Sequence, residues 1–151
     1  MSGTTFTLEN PVFRTFLGYA ALVLLKTMAM SVMTSYHRIT KKVYINEEDT
    51  LLAGKKIHIV TNNPTVERIR RCHLNDLENV IPFVLLGLLY VTTGPALSSA
   101  ALLFRVFTAS RFLHTVVYIF AIPQPARALC FLVGFLVNVC MGYMILCKAA
   151  F

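Results

Sequence analysis

Residues 128–147 read ALCFLVGFLVNVCMGYMILC, a run of 20 residues without a single charge. At 1.5 Å of helical rise per residue, such a run spans about 30 Å, the thickness of a bilayer's hydrocarbon core. Working outward, Pro123-Gln124-Pro125 separates it from a second apolar stretch, about Leu97 to Ile122. Thr92-Thr93-Gly94-Pro95 then breaks that stretch from a third, whose apolar body is Asn79 to Val91 behind a polar entry from Thr65. The first stretch runs from about Phe13 to His37, interrupted only by Lys26. Proline and glycine clusters are the punctuation expected between helices. The pattern predicts a single all-α membrane domain with spans at about 13–37, 65–91, 97–122 and 127–148.

Composition agrees. The chain has 151 residues, 56% of them hydrophobic and 14% charged, with a mean hydropathy of +0.66. Soluble domains carry about 25% charged residues, so neither a soluble fold nor disorder fits. The net charge of +7 points to cytosolic loops and an anionic ligand rather than to nucleic acid. The connection 38–64 carries Arg38, Lys41, Lys42, Lys55 and Lys56, whereas Thr92 to Leu97 carries no base. The positive-inside rule therefore turns the long connection to the cytosol. The first apolar stretch lacks a preceding basic region and is expected to stay as a span rather than be removed as a signal. Cys72, Cys130, Cys140 and Cys147 show neither metal-ligand nor disulfide spacing and read as buried small hydrophobes.

Polar residues concentrate where spans meet the cytosolic leaflet. On a helix of 100° per residue, Arg68, Arg71, Asn75 and Glu78 fall within an arc of about 80°. A solvated face or a patch for anionic lipid would look the same. In the third span Arg111, His114 and Tyr118 share one stripe, and ionisable residues inside a span usually face a cavity or a partner. Arg127 follows Pro-Gln-Pro-Ala at a helix start, where its charge adds to that of the helix N-terminus and would favour an anion or a thiolate. Glutathione fits such a pocket, and phosphorylated or dicarboxylate metabolites fit the same arginines. Arg105 and Lys26 are left to find partners within the bundle.

These motifs closely resemble the family of membrane-associated proteins in eicosanoid and glutathione metabolism. The segments carrying the likeness are Tyr36-His37-Arg38-Ile39-Thr40-Lys41-Lys42-Val43, Asn46-Glu47-Glu48-Asp49, Val66 to Phe83, Arg111-Phe112-Leu113-His114-Thr115 and Pro123 to Leu129. The resemblance implies a four-helix subunit of a homotrimer in the endoplasmic reticulum or mitochondrial outer membrane, with glutathione bound between subunits and facing the cytosol. It implies glutathione binding by Arg38, Arg70, Arg71, His73, Glu78 and Tyr118, supported by Asn75 and His114, without a metal. By the same resemblance Arg127 stabilises the glutathione thiolate and Tyr118 can donate a hydrogen bond to it. The implied activity is conjugation of glutathione to hydrophobic electrophiles, with peroxidase action on lipid hydroperoxides. Prostaglandin-forming members carry Ser, Tyr and Arg where this chain has Ala128, Phe131 and Leu74. Their chemistry, a leukotriene-forming activity and a non-catalytic lipid-binding scaffold are the alternatives. Asp49 occurs in both subgroups and is equally well read as a loop cap.

Overall fold

The computed structural model describes residues 5–51 and 62–149. Its two longest helices begin alike. Asn10 precedes Pro11 and accepts hydrogen bonds from the Val12 and Phe13 amides at 3.0 and 3.4 Å, opening α1 (Pro11–Lys41). Asn63 precedes Pro64 and accepts from Thr65 and Val66 at 3.1 and 3.3 Å, opening α3 (Pro64–Thr92). Each asparagine satisfies orphan amides, and each proline occupies a position where its missing N–H costs nothing. A short helix, α2 (Glu47–Leu51), lies in the connection; Lys55 and Lys56 fall outside the described residues. Two more helices follow, α4 (Leu97–Ile119) and α5 (Ala126–Ala149).

Two boundaries differ from the hydropathy reading. α1 continues one turn past His37 to Lys41, because Arg38, Thr40 and Lys41 are polar without being helix breakers. It stops where Lys42 adopts a left-handed conformation and the Val43 amide returns to the Arg38 carbonyl at 2.9 Å. α4 ends at Ile119, short of Ile122. There Ala121 is left-handed and the Ile122 amide bonds the Val117 carbonyl at 3.0 Å, turning the chain ahead of Pro123. Hydropathy cannot see this stop, since Phe120, Ala121 and Ile122 are all apolar.

α1, α3, α4 and α5 are each long and apolar enough to cross a membrane. α1 packs on α3 and α4, and α5 packs on α4 and α3. The centre is aromatic: Phe83 stacks on Phe107 with centroids 3.9 Å apart, and Phe104 meets Phe16 at 5.4 Å and Phe83 edge-on at 6.0 Å. Gly87 lets α1 approach, since a Cβ there would overlap the Phe16 ring. The outside is as apolar as the inside. Leu22, Leu25, Met28 and Val32 on α1, and Leu132, Phe135, Leu136 and Val139 on α5, stand exposed. So much contiguous apolar surface is incompatible with water and suited to lipid.

The bundle buries charge as well as rings. Lys26 of α1 forms an ion pair with Asp76 of α3, their side chains 7% and 0% exposed. This supplies Lys26 with the partner that a cation inside a span needs. Arg105 meets the Tyr19 hydroxyl of α1 at 3.3 Å on the exposed side of the bundle. The cysteines only partly follow expectation: Cys72 is buried, Cys130 and Cys140 are half-buried, and Cys147 is exposed. An apolar run on a lipid-facing helix has an outer face, so hydropathy alone does not imply burial there.

Candidate functional site

The start of α3, the end of α4 and the start of α5 converge at one end of the bundle. Between them lies a cleft of about 410 Å³ lined by Arg71, Leu74, Asn75, Glu78, His114, Tyr118, Gln124, Arg127, Ala128 and Phe131. Of the four α3 residues that the sequence spacing puts on one stripe, Arg71, Asn75 and Glu78 line this cleft and Arg68 does not. On α4 His114 and Tyr118 are one turn apart, their ring centroids separated by 5.5 Å. On α5 Arg127 occupies the first turn, and its guanidinium carbon lies 4.8 Å from the centre of the Tyr118 ring. That contact is a cation–π pair, which fixes the arginine over an aromatic face without consuming its hydrogen-bond donors. The Ala128 amide is capped by Gln124 Oε1 at 3.2 Å.

The cleft thus combines two guanidinium groups, a carboxylate, two carboxamides, an imidazole and a phenol. Arg127 stands beside the positive end of a helix, which adds to the potential an anion would meet. His114 is 2% exposed, and its Nδ1 has no hydrogen-bond partner among the described residues. Among those residues no group of three or more His, Cys, Asp or Glu side chains is placed to hold a metal ion.

Sequence-expected residues divide into two sets. Arg71, Asn75, Glu78, His114, Tyr118 and Arg127 share the cleft. Arg38, Arg70 and His73 do not line it. Arg70 is exposed and donates to Glu67 through Nε and Nη2, at 2.9 Å for the shortest contact. Arg38 borders a separate cleft with Ser35, Tyr44 and Asp49, and its buried Nε has no partner among the described residues. On the helical wheel Arg70 lies about 80° and His73 about 140° from Glu78, away from the stripe that lines the cleft. Asp49 accepts from Asn46 Nδ2 at 3.1 Å, a local bond at the start of α2 that matches its loop-cap reading.

The stripe Arg111, His114, Tyr118 divides at its first member, which faces partners within the bundle while the other two face the cleft. Arg111 is fully buried and lies beneath the cleft rather than lining it. Its Nη1 donates to Asn75 Oδ1 at 3.2 Å, and its Nη2 to the Cys130 and Phe131 carbonyls at 2.9 and 3.4 Å. Snorkelling to the interface is thereby excluded for this side chain. Sequence reasoning also overlooked Gln124 in the cleft and Asp76 as the partner of Lys26. A signal for the latter existed: a lysine inside a span needs a carboxylate, and Asp76 sits where the apolar body of the second span begins.

Fold and cleft define an all-helical integral membrane protein with a polar, cationic recess at one end of its bundle. The sequence profile of the MAPEG family matches residues 16–147. Microsomal glutathione S-transferase 1 of Sus scrofa and that of Homo sapiens are each 45% identical over 150 residues, covering 97% of this chain and 96% of each relative. Prostaglandin E synthase of Bos taurus is 34% identical over 143 residues, covering 95% of this chain and 93% of the relative. The chain belongs to the MAPEG family.

Proposed function

We propose that the protein is a membrane-bound glutathione S-transferase that conjugates glutathione to hydrophobic electrophiles. The observation that carries this reading is Arg127, held on the face of Tyr118 at the start of α5 and opening onto the same cleft as Arg71, Asn75, Glu78 and His114. Arg71 suits a carboxylate of the tripeptide and Glu78 its ammonium. Arg127 and the Tyr118 hydroxyl suit the sulfur as its proton leaves. The thiolate then attacks the electrophilic carbon, a C–S bond forms, and the leaving group departs with its electron pair. With a lipid hydroperoxide the same thiolate attacks the peroxide oxygen. Two glutathiones then become the disulfide while the hydroperoxide becomes an alcohol and water.

The identity to microsomal glutathione S-transferase 1 over nearly the whole chain supports the transferase reading over the synthase one. Leu74, Ala128 and Phe131, the positions where prostaglandin-forming members carry polar groups, all line the cleft. A prostaglandin E synthase reading would have to work without those groups. Retention of the full cationic set likewise disfavours a non-catalytic lipid-binding scaffold.

The assembly is a homotrimer whose glutathione lies between subunits, on the cytosolic side of the endoplasmic reticulum or the mitochondrial outer membrane. Arg38, Arg70 and His73 do not line the cleft of their own chain, which fits a role in a neighbour's. The electrophile or hydroperoxide arrives through the lipid, and glutathione from the cytosol past the basic 38–64 connection of this single membrane domain. Conjugation of a hydrophobic aryl halide by the detergent-purified protein tests the reading. Arg127→Ala should lower kcat on the order of 100-fold, as loss of one preorganised charge stabiliser does. Turnover equal to wild type would remove Arg127 from the mechanism.

A further inference from the structure

Arg111 lines no part of the cleft, yet it fixes a residue that does. Its guanidinium carries donors only, so the atom of Asn75 that faces it at 3.2 Å must be the carbonyl oxygen. The carboxamide nitrogen of Asn75 is therefore turned away from Arg111, on a residue that borders the cleft. Arg111 is itself held from the other side by the Cys130 carbonyl at 2.9 Å. Gly134 of α5 makes the room: a Cβ there would stand 2.9 Å from Arg111 Nε, 3.0 Å from its Nη2 and 2.9 Å from the Ser110 hydroxyl, which lines no part of the cleft. Beside Asn75, Asp76 is fully buried against Lys26. A chain of fixed groups thus runs from α1 through α3 and α4 to the backbone of α5.

We infer that Arg111 is a positioning residue for glutathione recognition. It locks Asn75 with its N–H₂ presented to the cleft, as a donor for a carboxylate or peptide carbonyl of the tripeptide. The inference rests on the glutathione reading of the same cleft and adds what sets the polarity of one of its contacts. A donor that serves ground state and transition state alike affects KM for glutathione and leaves kcat and the KM of the electrophile in place.

Gly134→Ala moves the Arg111 guanidinium without altering any atom that lines the cleft, and it is combined with Asn75→Ala in a double-mutant cycle. Glutathione KM is read by conjugation of an aryl halide, and melting temperature in detergent is recorded alongside. Gly134→Ala should raise the glutathione KM about three- to tenfold, the worth of one hydrogen bond. It should add nothing further in the Asn75→Ala background. Asn75→Asp keeps an acceptor for Arg111 and removes the donor, so it should hold the melting temperature and raise the glutathione KM at least as much as Asn75→Ala. Equal effects of Gly134→Ala with and without Asn75 would overturn the inference, as would an unchanged KM in Asn75→Asp. Failure of the wild-type protein to saturate with glutathione would overturn both the reading of the cleft and the inference.

Discussion

Lys26, Asp76 and Arg111 place two positive charges and one negative charge out of water, within one layer of the bundle. A buried charge without a partner is costly, so the single carboxylate matters more than either cation. Removing Lys26 as Lys26→Met leaves one carboxylate, Asp76, and one guanidinium, Arg111, buried in the bundle, with no net charge between them. Asp76→Asn leaves two cations with no counter-charge. Asp76→Asn should therefore destabilise the protein more than Lys26→Met, by about 3–5 kcal/mol where an uncompensated charge remains. Melting temperatures in detergent check the order, and a Lys26→Met variant less stable than Asp76→Asn would contradict it. Individual ionisable residues were easy to find in the sequence, because each stands out in an apolar run. Their roles were not. Arg111, His114 and Tyr118 share a stripe, but Arg111 spends its donors on Asn75 and the α5 backbone while the other two line the cleft, and helical spacing does not reveal such partners.

Among the elements, α3 carries most of the site and depends on where it starts. Asn63 caps its first turn through two amides, and the polar segment from Glu67 to Glu78 lies in its first half. Asn63→Ala should cost about 1 kcal/mol and fray the first turns. Hydrogen exchange at residues 65–69 should accelerate while residues 80–91 stay protected; uniform protection across both would contradict the capping role. Farther along, Pro82 interrupts the helix and removes the amide that would bond the Glu78 carbonyl, one turn from the cleft. Element positions were legible because a membrane span needs a long apolar run and proline and glycine mark its ends. The stop of α4 was not legible, since a left-handed Ala121 leaves no trace in hydropathy.

For the whole molecule, the outer face of α1 and α5 is apolar, and the polar cleft opens where α3, α4 and α5 meet. Five of the eight expected glutathione residues share that cleft, and Arg38, Arg70 and His73 stand apart from it in the same chain. Helical spacing on α3 already set Arg71, Asn75 and Glu78 apart from Arg70 and His73, but spacing along one helix does not encode where Arg38 of α1 sits relative to the cleft. If the site is shared between copies, an Arg38→Ala chain and an Arg127→Ala chain are inactive alone, yet their mixed assemblies contain intact sites. Co-expression of the two should restore measurable conjugation, whereas activity no higher than that of either variant would contradict a shared site. The most direct test of the central claim, that this cleft activates a glutathione thiol, is the ultraviolet difference spectrum of the detergent-purified protein on adding glutathione near neutral pH. The account predicts a thiolate absorption band that is lost in Arg127→Ala. Saturable binding with no such band in the wild-type protein would contradict it.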